Sequence, residues 1–458
     1  MIFKKISFQK NLIIFFLIFL FSLLFFNDQV AVRGGLVISG EIVYSDNISP
    51  LKYYFFNSWT LLTQLSALFI KIGFEVKIVS FILVFLLSTV FFYSSFLILN
   101  KFSNNFFFSI IITTFLLFFQ KNIGDTDYPS LIFTIHTFGA YAQAFTGLIF
   151  ATLINNQLRL SVFLSFILFI IHPIVGLWIL LIILFVVFYQ KNLKISEIIK
   201  MITPGLIAVA ISLLIYLLLV QEKVPYDKNL FETYLNKWDG HRAITDEIHY
   251  EYIFKSLLLL ILTNLLFPKN FKNQLFVPFL NTVILSSLFV YLSFKFFNLN
   301  NLNFLYVIIP GRLLTTFSFI AWPIFVALIF YRFKNAKYIN TIFYSLVIIY
   351  SVMHYKTFLN VQKNFFNNQI VFKFKNNYSV FDKLKSLNDN NYVIGTADST
   401  FNTLYLSKKP LLLTKTIDFL PYHPYLVNSI KEILVEVYGY DFDNPAIPNK
   451  PHLSDNVI

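Results

Sequence analysis

The chain has 458 residues, of which 57% are hydrophobic and 13% are charged, and its mean hydropathy is +0.69. Soluble proteins carry roughly 45–50% apolar and about 25% charged residues, so the composition excludes a soluble enzyme and a disordered chain, and the lack of cysteine excludes a disulfide scaffold. The net charge of +13 is scattered between apolar runs, which is typical of cytoplasmic loops in a membrane protein and excludes nucleic acid as a partner.

The chain begins with a basic segment and an apolar run at 11–26. No small-residue cleavage site follows this run, so we interpret it as an uncleaved anchor with a cytoplasmic N-terminus. Residues 27–57 form a first polar outer loop. Residues 58–73 are amphipathic and modestly apolar, which favours a helix lying in the membrane interface.

Ten further apolar runs follow, several of them shorter than the roughly 20 residues that usually span a bilayer. They lie at about 77–99, 105–119, 140–154, 160–171, 174–189, 202–220, 252–267, 275–294, 304–331 and 338–354. Proline interrupts two stretches, at His172-Pro173 and at Pro310-Gly311-Arg312, and should break the helices there. The pattern predicts about eleven transmembrane helices, with the C-terminus outside the cytoplasm.

We therefore predict a polytopic α-helical membrane domain at 1–355, located in a bacterial inner membrane. Its outer loops are 27–57, 120–139 and 221–251. The more polar remainder, 356–458, is predicted to be a small extracytoplasmic α/β domain.

Three segments support this α/β prediction. NYVIG (391–395) and KPLLL (409–413) have the composition of short strands. Residues 425–439 have the apolar periodicity of an amphipathic helix.

Carboxylates on the outer loops are the predicted catalytic residues, because the cytoplasmic loops are too short and basic to house a site. Glu41 and Asp46 lie in the first loop, and Asp125 and Asp127 form a DxD motif in the second. One carboxylate could act as a base while another orients it, or the DxD pair could bind a divalent cation, although no metal site is predicted. The alternative is that all four are solvated loop residues.

Basic side chains are the predicted substrate-binding residues. Arg312 lies inside an apolar run, where an arginine usually faces a cavity or an anionic partner unless it snorkels to the interface. His241 and Arg242 lie in the long loop 221–251, and His172 stands at the interrupted run, where it is more often a packed helix-breaking residue. Arg33, with Asp28 in the first loop, is a further candidate, and the alternative is that both are solvated loop residues.

The layout resembles the GT-C class of membrane glycosyltransferases, on VISGEIVYSDN around Glu41 and Asp46, the helix at 58–73, and GDTDYPS around Asp125 and Asp127. The first loop lacks the adjacent acidic pair of protein mannosyltransferases, and the C-terminal part lacks the WWD motif of oligosaccharyltransferases. The resemblance implies inverting transfer of a sugar from a polyprenyl-phosphate donor to a glycan or lipid acceptor, without a cofactor.

In that class a loop carboxylate, here Asp46 or Glu41, would take the acceptor proton, and Arg312 would neutralise the leaving phosphate. Two alternatives remain. One is a polysaccharide polymerase or ligase of the O-antigen type, with its site at His241 and Arg242. The other is a transporter, flippase or non-catalytic scaffold, for which charges midway through several spans are expected.

Overall fold

The computed structural model describes the membrane part almost throughout and the C-terminal part in pieces. The described residues are 8–26, 29–44, 49–120, 138–189, 193–221, 225–238, 250–268, 274–297, 310–316, 318–357, 359, 383–384, 386, 404, 407–413 and 423–443. Apart from one bridge residue, Leu411, these residues form only helices, turns and coil.

Sixteen helices precede the C-terminal part in the described residues. They are α1 (Phe8–Leu24), α2 (Val30–Ile38), α3 (Pro50–Asn57), α4 (Leu61–Lys71), α5 (Val76–Ser103), α6 (Phe106–Phe119), α7 (Phe138–Ile154), α8 (Leu158–Ile171), α9 (Pro173–Tyr189), α10 (Ile195–Leu219), α11 (Lys228–Lys237), α12 (Tyr250–Leu266), α13 (Phe276–Phe296), α14 (Pro310–Thr316), α15 (Ser318–Phe333) and α16 (Ile339–Met353). A composite helix follows: a 3₁₀ turn Pro424–Leu426, then α17 (Val427–Glu432) and a π turn Ile433–Val437.

The fold is helical, with several long apolar helices, as expected of a helical membrane protein. Each of the eleven apolar runs in the sequence overlaps one of the helices α1, α5 to α10, α12, α13, α15 and α16. In the described residues, 4 helices are long and apolar enough to cross a membrane: α5, α10, α13 and the stretch Leu313–Phe333. A helix satisfies all of its own backbone hydrogen bonds, which is why apolar runs of this length become helices in lipid.

The apolar surface of α10 is largely uncovered. Only 11% of its most apolar window is buried within the protein, against 72% for α5. Leu206, Leu214 and Leu218 are all more than half exposed. Lipid tails are as apolar as leucine, so such a surface suits contact with the bilayer rather than with water.

The interrupted run at 160–189 forms two helices, as predicted. His172 separates α8 from α9 with an extended backbone, and Pro173 is the first residue of α9. The other proline interruption is described only from Pro310 onward, and Pro310 is the first residue of α14. Proline is well suited to the first helical turn, where its missing N–H has no partner in any case.

The first outer loop is more ordered than its polar sequence indicates, because it contains α2 and α3. Two adjacent glycines let α2 approach α4 closely. A Cβ atom on Gly35 would lie 2.7 Å from the Cβ of Ser66 and 3.0 Å from the backbone N of Ala67. Small residues allow such close approach in membrane helix pairs, and here they bury every residue of α2 from Ala31 to Val37.

The amphipathic segment at 58–73 forms α4, which packs along α10 through a polar contact. The Ser212 hydroxyl donates to Gln64 Oε1 at 2.7 Å, and the Gln64 amide donates to the Ser212 carbonyl at 2.8 Å. Trp59 Nε1 donates to the same hydroxyl at 3.0 Å. These bonds join the segment that follows the first loop to α10, in the middle of the chain.

Several helices begin or end close to one another at one end of the bundle, which we call the basic end. The Lys10 ammonium, near the start of α1, lies 5.0 Å from the ring centre of Phe106, at the start of α6. Phe102, near the end of α5, contacts Phe267 after α12 at 6.3 Å and Tyr331 near the end of α15 at 6.4 Å. Phe102, Phe267 and Tyr331 each lie in or just before one of the predicted cytoplasmic loops.

Candidate functional site

The opposite end of the bundle, which we call the loop end, joins the first outer loop to the C-terminal part. Ser49 is the N-cap residue of α3 and is fully buried. Its Oγ lies 2.9 Å from the carbonyl oxygens of both Leu411 and Leu412 and accepts from the backbone N–H of Leu51 at 3.2 Å. One hydroxyl therefore caps a helix and fastens residues 407–413, which we call the strap.

The strap is not the strand that KPLLL predicts. Leu411 forms a single bridge, and its N–H donates to the Tyr44 hydroxyl at 3.3 Å. Burial raises the pKa of Tyr44 above its ordinary value, and the bonds with Leu411 and Ser49 offset this only in part. The tyrosine thus stays neutral and serves as a buried acceptor for the strap.

Glu41 forms an ion pair with the strap. Its Oε2 lies 3.0 Å from Lys408 Nζ, and both side chains are about half exposed. Exposed ion pairs of this kind contribute little to stability. As a base, Glu41 would have to leave this partner first.

A second junction lies at the end of α3, where His423 contacts Ser58. His423 is buried and its Nε2 is 3.2 Å from the Ser58 Oγ. The same hydroxyl donates to the carbonyl oxygen of Tyr54 at 2.5 Å. The Tyr54 ring stands edge-on to the imidazole at 5.6 Å and closes the other side.

The hydrogen bonds continue from the other nitrogen of His423. Its Nδ1 lies 3.0 Å from the Tyr425 hydroxyl, which accepts from the Asn57 amide at 2.6 Å. Asn57 Oδ1 in turn accepts from the backbone N–H of Gln221, after α10, at 2.7 Å. We call Asn57, Ser58, Gln221, His423 and Tyr425 the His423 network.

One tautomer of His423 satisfies every bond of this network. With the proton on Nε2, the ring donates to Ser58 and accepts from the Tyr425 hydroxyl at Nδ1. With the proton on Nδ1, the Tyr425 hydroxyl would lose its acceptor, and Ser58 would have to choose between His423 and Tyr54. Burial raises the pKa of Tyr425 to about 12, so its hydroxyl remains a donor.

The direction of the hydrogen bond between His423 and Ser58 in this tautomer argues against a serine nucleophile activated by histidine. A general base needs an unprotonated nitrogen facing the serine proton, whereas the tautomer that satisfies every bond has its proton on Nε2, and the Ser58 hydroxyl donates to the Tyr54 carbonyl. The network therefore holds three parts of the chain together at the loop end.

The long loop 221–251 contributes α11, which docks on the C-terminal part. Asp227 caps α11, because its Oδ1 accepts from the N–H of Asn229 at 2.8 Å. Trp238 Nε1 donates to the Phe442 carbonyl at 2.8 Å, and the two rings stack at 5.5 Å. Lys237 donates to the Asp443 carbonyl beside them.

Arg33 is a buried residue of α2. Its side chain is only 3% exposed, which excludes the alternative of a solvated loop residue. Gln29, one turn earlier on the same face of α2, is also buried, and Tyr141 on α7 donates toward its Oε1 at 2.9 Å and toward the Leu83 carbonyl on α5 at 3.0 Å. This face of α2 therefore turns toward the helices of the bundle.

A signal for Arg33 was present in the sequence. VAVRGGLVI is an apolar segment with a single charge, and such a charge is costly unless it faces a polar partner or a cavity. The neighbouring glycines usually indicate a turn, and for this reason the sequence pattern does not predict the helix α2.

The predicted site residues fall into three groups. Glu41 and His172 have described side chains. Arg312 is the third residue of α14, and its side chain lies outside the described residues. The remaining predicted residues lie outside the described residues altogether: Asp46, Asp125, Asp127, His241 and Arg242.

His172 lies between α8 and α9, and it makes hydrogen bonds to the first turn of α9. Its Nδ1 accepts from the N–H of Val175 at 3.4 Å, and its carbonyl accepts from Gly176 at 2.8 Å, so it caps the start of α9. As for metals, no group of three or more His, Cys, Asp or Glu side chains comes together among the residues that the structure describes.

Comparisons with protein-family models, with curated proteins and with solved structures found no match to this chain.

Proposed function

We propose that the protein transfers a sugar from a polyprenyl-phosphate-linked donor to a glycan or lipid acceptor at the outer face of a bacterial inner membrane. The observation that carries this proposal is the burial of Arg33 in α2. A buried arginine within a helical membrane protein usually faces the bundle interior or a cavity and often marks a substrate pathway. The phosphate of a lipid-linked sugar is an anion that must enter such a protein from the bilayer.

The depth of Arg33 supports a lipid-borne substrate. Gln29 meets the Tyr141 hydroxyl, which also meets the carbonyl of Leu83. Leu83 is seven residues inside α5, or about 10 Å from its start at the usual rise per residue. The first turn of α2 therefore lies about two turns inside the start of α5, among the helices.

The proposed topology has eleven transmembrane helices, a cytoplasmic N-terminus and an extracytoplasmic C-terminal domain. It is supported by the segments that meet at the loop end: the first outer loop, the end of α10, α11 and the C-terminal part. This topology assigns all four to the same side. It assigns the basic end, with Lys10 and Lys334, to the cytoplasm, in keeping with the positive-inside rule.

The proposed reaction is a direct displacement with inversion. The acceptor oxygen attacks the anomeric carbon, the bond from that carbon to the phosphate oxygen breaks, and a loop carboxylate takes the acceptor proton. Asp46 is the favoured base because Glu41 is paired with Lys408. Arg33 and Arg312 would bind the departing phosphate, since stabilising the developing charge is usually the largest catalytic effect.

Asp125 and Asp127 would orient the base or hold a divalent cation. Chelation of divalent cations distinguishes these two roles. Sugar transfer that is lost on chelation and recovers when Mg²⁺ or Mn²⁺ is added favours the metal-binding role. Activity that survives chelation favours the orienting role.

The proposal is tested by complementing cells that lack the protein with single variants and profiling their surface glycans. The wild type should restore the surface glycans of these cells. The variants Arg33→Gln, Asp46→Asn and Asp127→Asn should each fail to restore them. Lys71→Ala, at the exposed end of α4, is the matched charge-removal control and should complement fully. Normal glycans in all three test variants, at wild-type protein levels, would contradict the proposal.

A second candidate, a polysaccharide polymerase or ligase, is favoured by the docking of α11. Trp238 anchors the long loop on Phe442, and His241 follows three residues later in the sequence. In that case His241→Ala and Arg242→Ala should shorten or remove the polymer. The carboxylate variants of the first two outer loops should then leave it unchanged.

A further inference from the structure

Gln143, on α7, is a fully buried amide that has no hydrogen-bond partner in the part of the chain that the structure describes. Its side chain is 0% exposed, and among the described residues neither Oε1 nor Nε2 has a partner. A buried amide that makes no hydrogen bond costs free energy, and in a membrane protein no bulk water relieves that cost.

The other polar side chains of α7 are satisfied within the protein. Thr146 donates to the carbonyl of Ala142 at 2.8 Å, and Thr152 donates to that of Ile149 at 2.7 Å. Serine and threonine hydroxyls can bond to backbone carbonyls of their own helix in this way. The Gln143 side chain makes no such bond. Its amide is therefore the exception on this helix.

The helical register shows which side of α7 bears Gln143. Gly147, one turn later, faces α5, because a Cβ there would lie 3.1 Å from the Ser94 hydroxyl. Phe150, two turns later, contacts the rings of Phe276 and Phe279 on α13 at 5.8 and 5.9 Å. Gln143 shares this face, which lies between α5 and α13.

The helix pair α14–α15 packs into the same space. α14 contacts both α7 and α13, and α15 contacts α5 and α7. Arg312 is the third residue of α14, so the helix carrying the predicted phosphate-binding arginine packs against the helix carrying Gln143. Gln143 is five residues inside α7, about 7.5 Å from its start.

We propose that Gln143 binds the sugar of the lipid-linked donor, which rests on the proposed function. The amide offers one donor group and one acceptor. A phosphate only accepts and would leave Oε1 unpaired, and an ammonium only donates and would leave Nε2 unpaired. Neighbouring hydroxyls of a sugar both donate and accept, so a neutral carbohydrate matches both atoms.

The test measures binding of four lipids, undecaprenyl phosphate carrying glucose, galactose, mannose or arabinose, against undecaprenyl phosphate alone. Full-length protein in nanodiscs is used, with tryptophan fluorescence as the readout. The wild type should bind at least one sugar-bearing lipid ten or more times more tightly than the bare lipid. Gln143→Leu should abolish this preference while leaving the affinity for the bare lipid unchanged.

Two further measurements keep the outcomes distinct. Thr146→Val, which removes a satisfied hydroxyl from the same helix, should keep the sugar preference, and the melting temperature of Gln143→Leu should not fall below that of the wild type. A preference that survives in Gln143→Leu overturns the assignment of Gln143. A wild type that binds no lipid of the set counts against the proposed function itself, and with it against this inference.

Discussion

His423 Nε2 lies 3.2 Å from the Oγ of Ser58, although 365 positions separate the two residues in the chain. Through this contact the C-terminal part is held against the end of α3. Tyr425 and Asn57 extend the contact to Gln221 after α10. The loop end is thus a joint between distant parts of the chain, and disrupting it should release the C-terminal part from the first loop.

Replacing His423 by phenylalanine keeps a ring of similar size but removes both nitrogens. Tyr425 and Ser58 then lose a partner in a buried site, and we expect a destabilisation of about 1–3 kcal/mol. Faster proteolysis of the C-terminal part and a lower melting temperature would show it. Lys431→Ala, on α17 outside the network, is the control; equal proteolysis rates for His423→Phe and the wild type would contradict the role of the joint.

Removing the Ser49 hydroxyl should also weaken the joint. Ser49→Ala removes an N-cap from α3 and leaves the carbonyls of Leu411 and Leu412 without that donor, at an expected cost of about 1–2 kcal/mol. Thermal unfolding of the purified protein measures this. Ser39→Ala removes a half-buried hydroxyl that bonds only within its own turn, to the Leu36 carbonyl at 3.1 Å and to the Glu41 N–H at 3.5 Å, and it should cost less than half as much.

The raised pKa of Tyr425 predicts a dependence of stability on alkaline pH. Its pKa is about 12 in the folded protein against 10.0 ordinarily, so folding favours the neutral phenol. The stability it contributes is fully present below pH 10 and is lost as the pH rises toward 12. Tyr425→Phe should therefore lose less stability than the wild type between pH 10 and 12, as measured by melting temperature; parallel curves for the two proteins would argue against it.

The two glycines of α2 should differ in their tolerance of alanine. On Gly35 a Cβ meets the backbone of α4, whereas on Gly34 it meets chiefly the side chains of Thr63 and Phe55. Shifting the backbone of α4 costs more free energy than rotating a side chain. Gly35→Ala should therefore lower the free energy of unfolding by about 1–3 kcal/mol, and Gly34→Ala should lower it less. Melting temperatures of the two variants give the order, and the reverse order would mean that α2 and α4 pack differently.

The two acids of the first loop should differ in their effect on activity. Glu41 is paired with Lys408 at the surface, so Glu41→Gln should keep most of the activity and change stability by less than about 1 kcal/mol. Asp46→Asn should lose at least a hundredfold in transfer, within the range expected of a general base. The glycan assay of the proposed function decides between them, and the opposite result would make Glu41 the base.

The helices of the membrane part could be predicted from the sequence by itself, because an apolar run in lipid must satisfy its own backbone and does so as a helix. The break at His172-Pro173 followed from the chemistry of proline. The helix beginning near residue 425 was also predicted, and it forms over Pro424–Val437. NYVIG lies outside the described residues, and so do most of the predicted site residues.

Only the tertiary structure decided which polar residues meet. α2 is a helix because α4 packs against its glycines, and residues 407–413 are a strap because Ser49 and Tyr44 bind the backbone of Leu411 and Leu412. Arg33 is buried because α2 turns toward the bundle, and Ser58 meets His423 because two distant segments share the loop end. Local sequence carries hydrophobic periodicity, whereas the partner of a buried polar group comes from wherever the fold brings one.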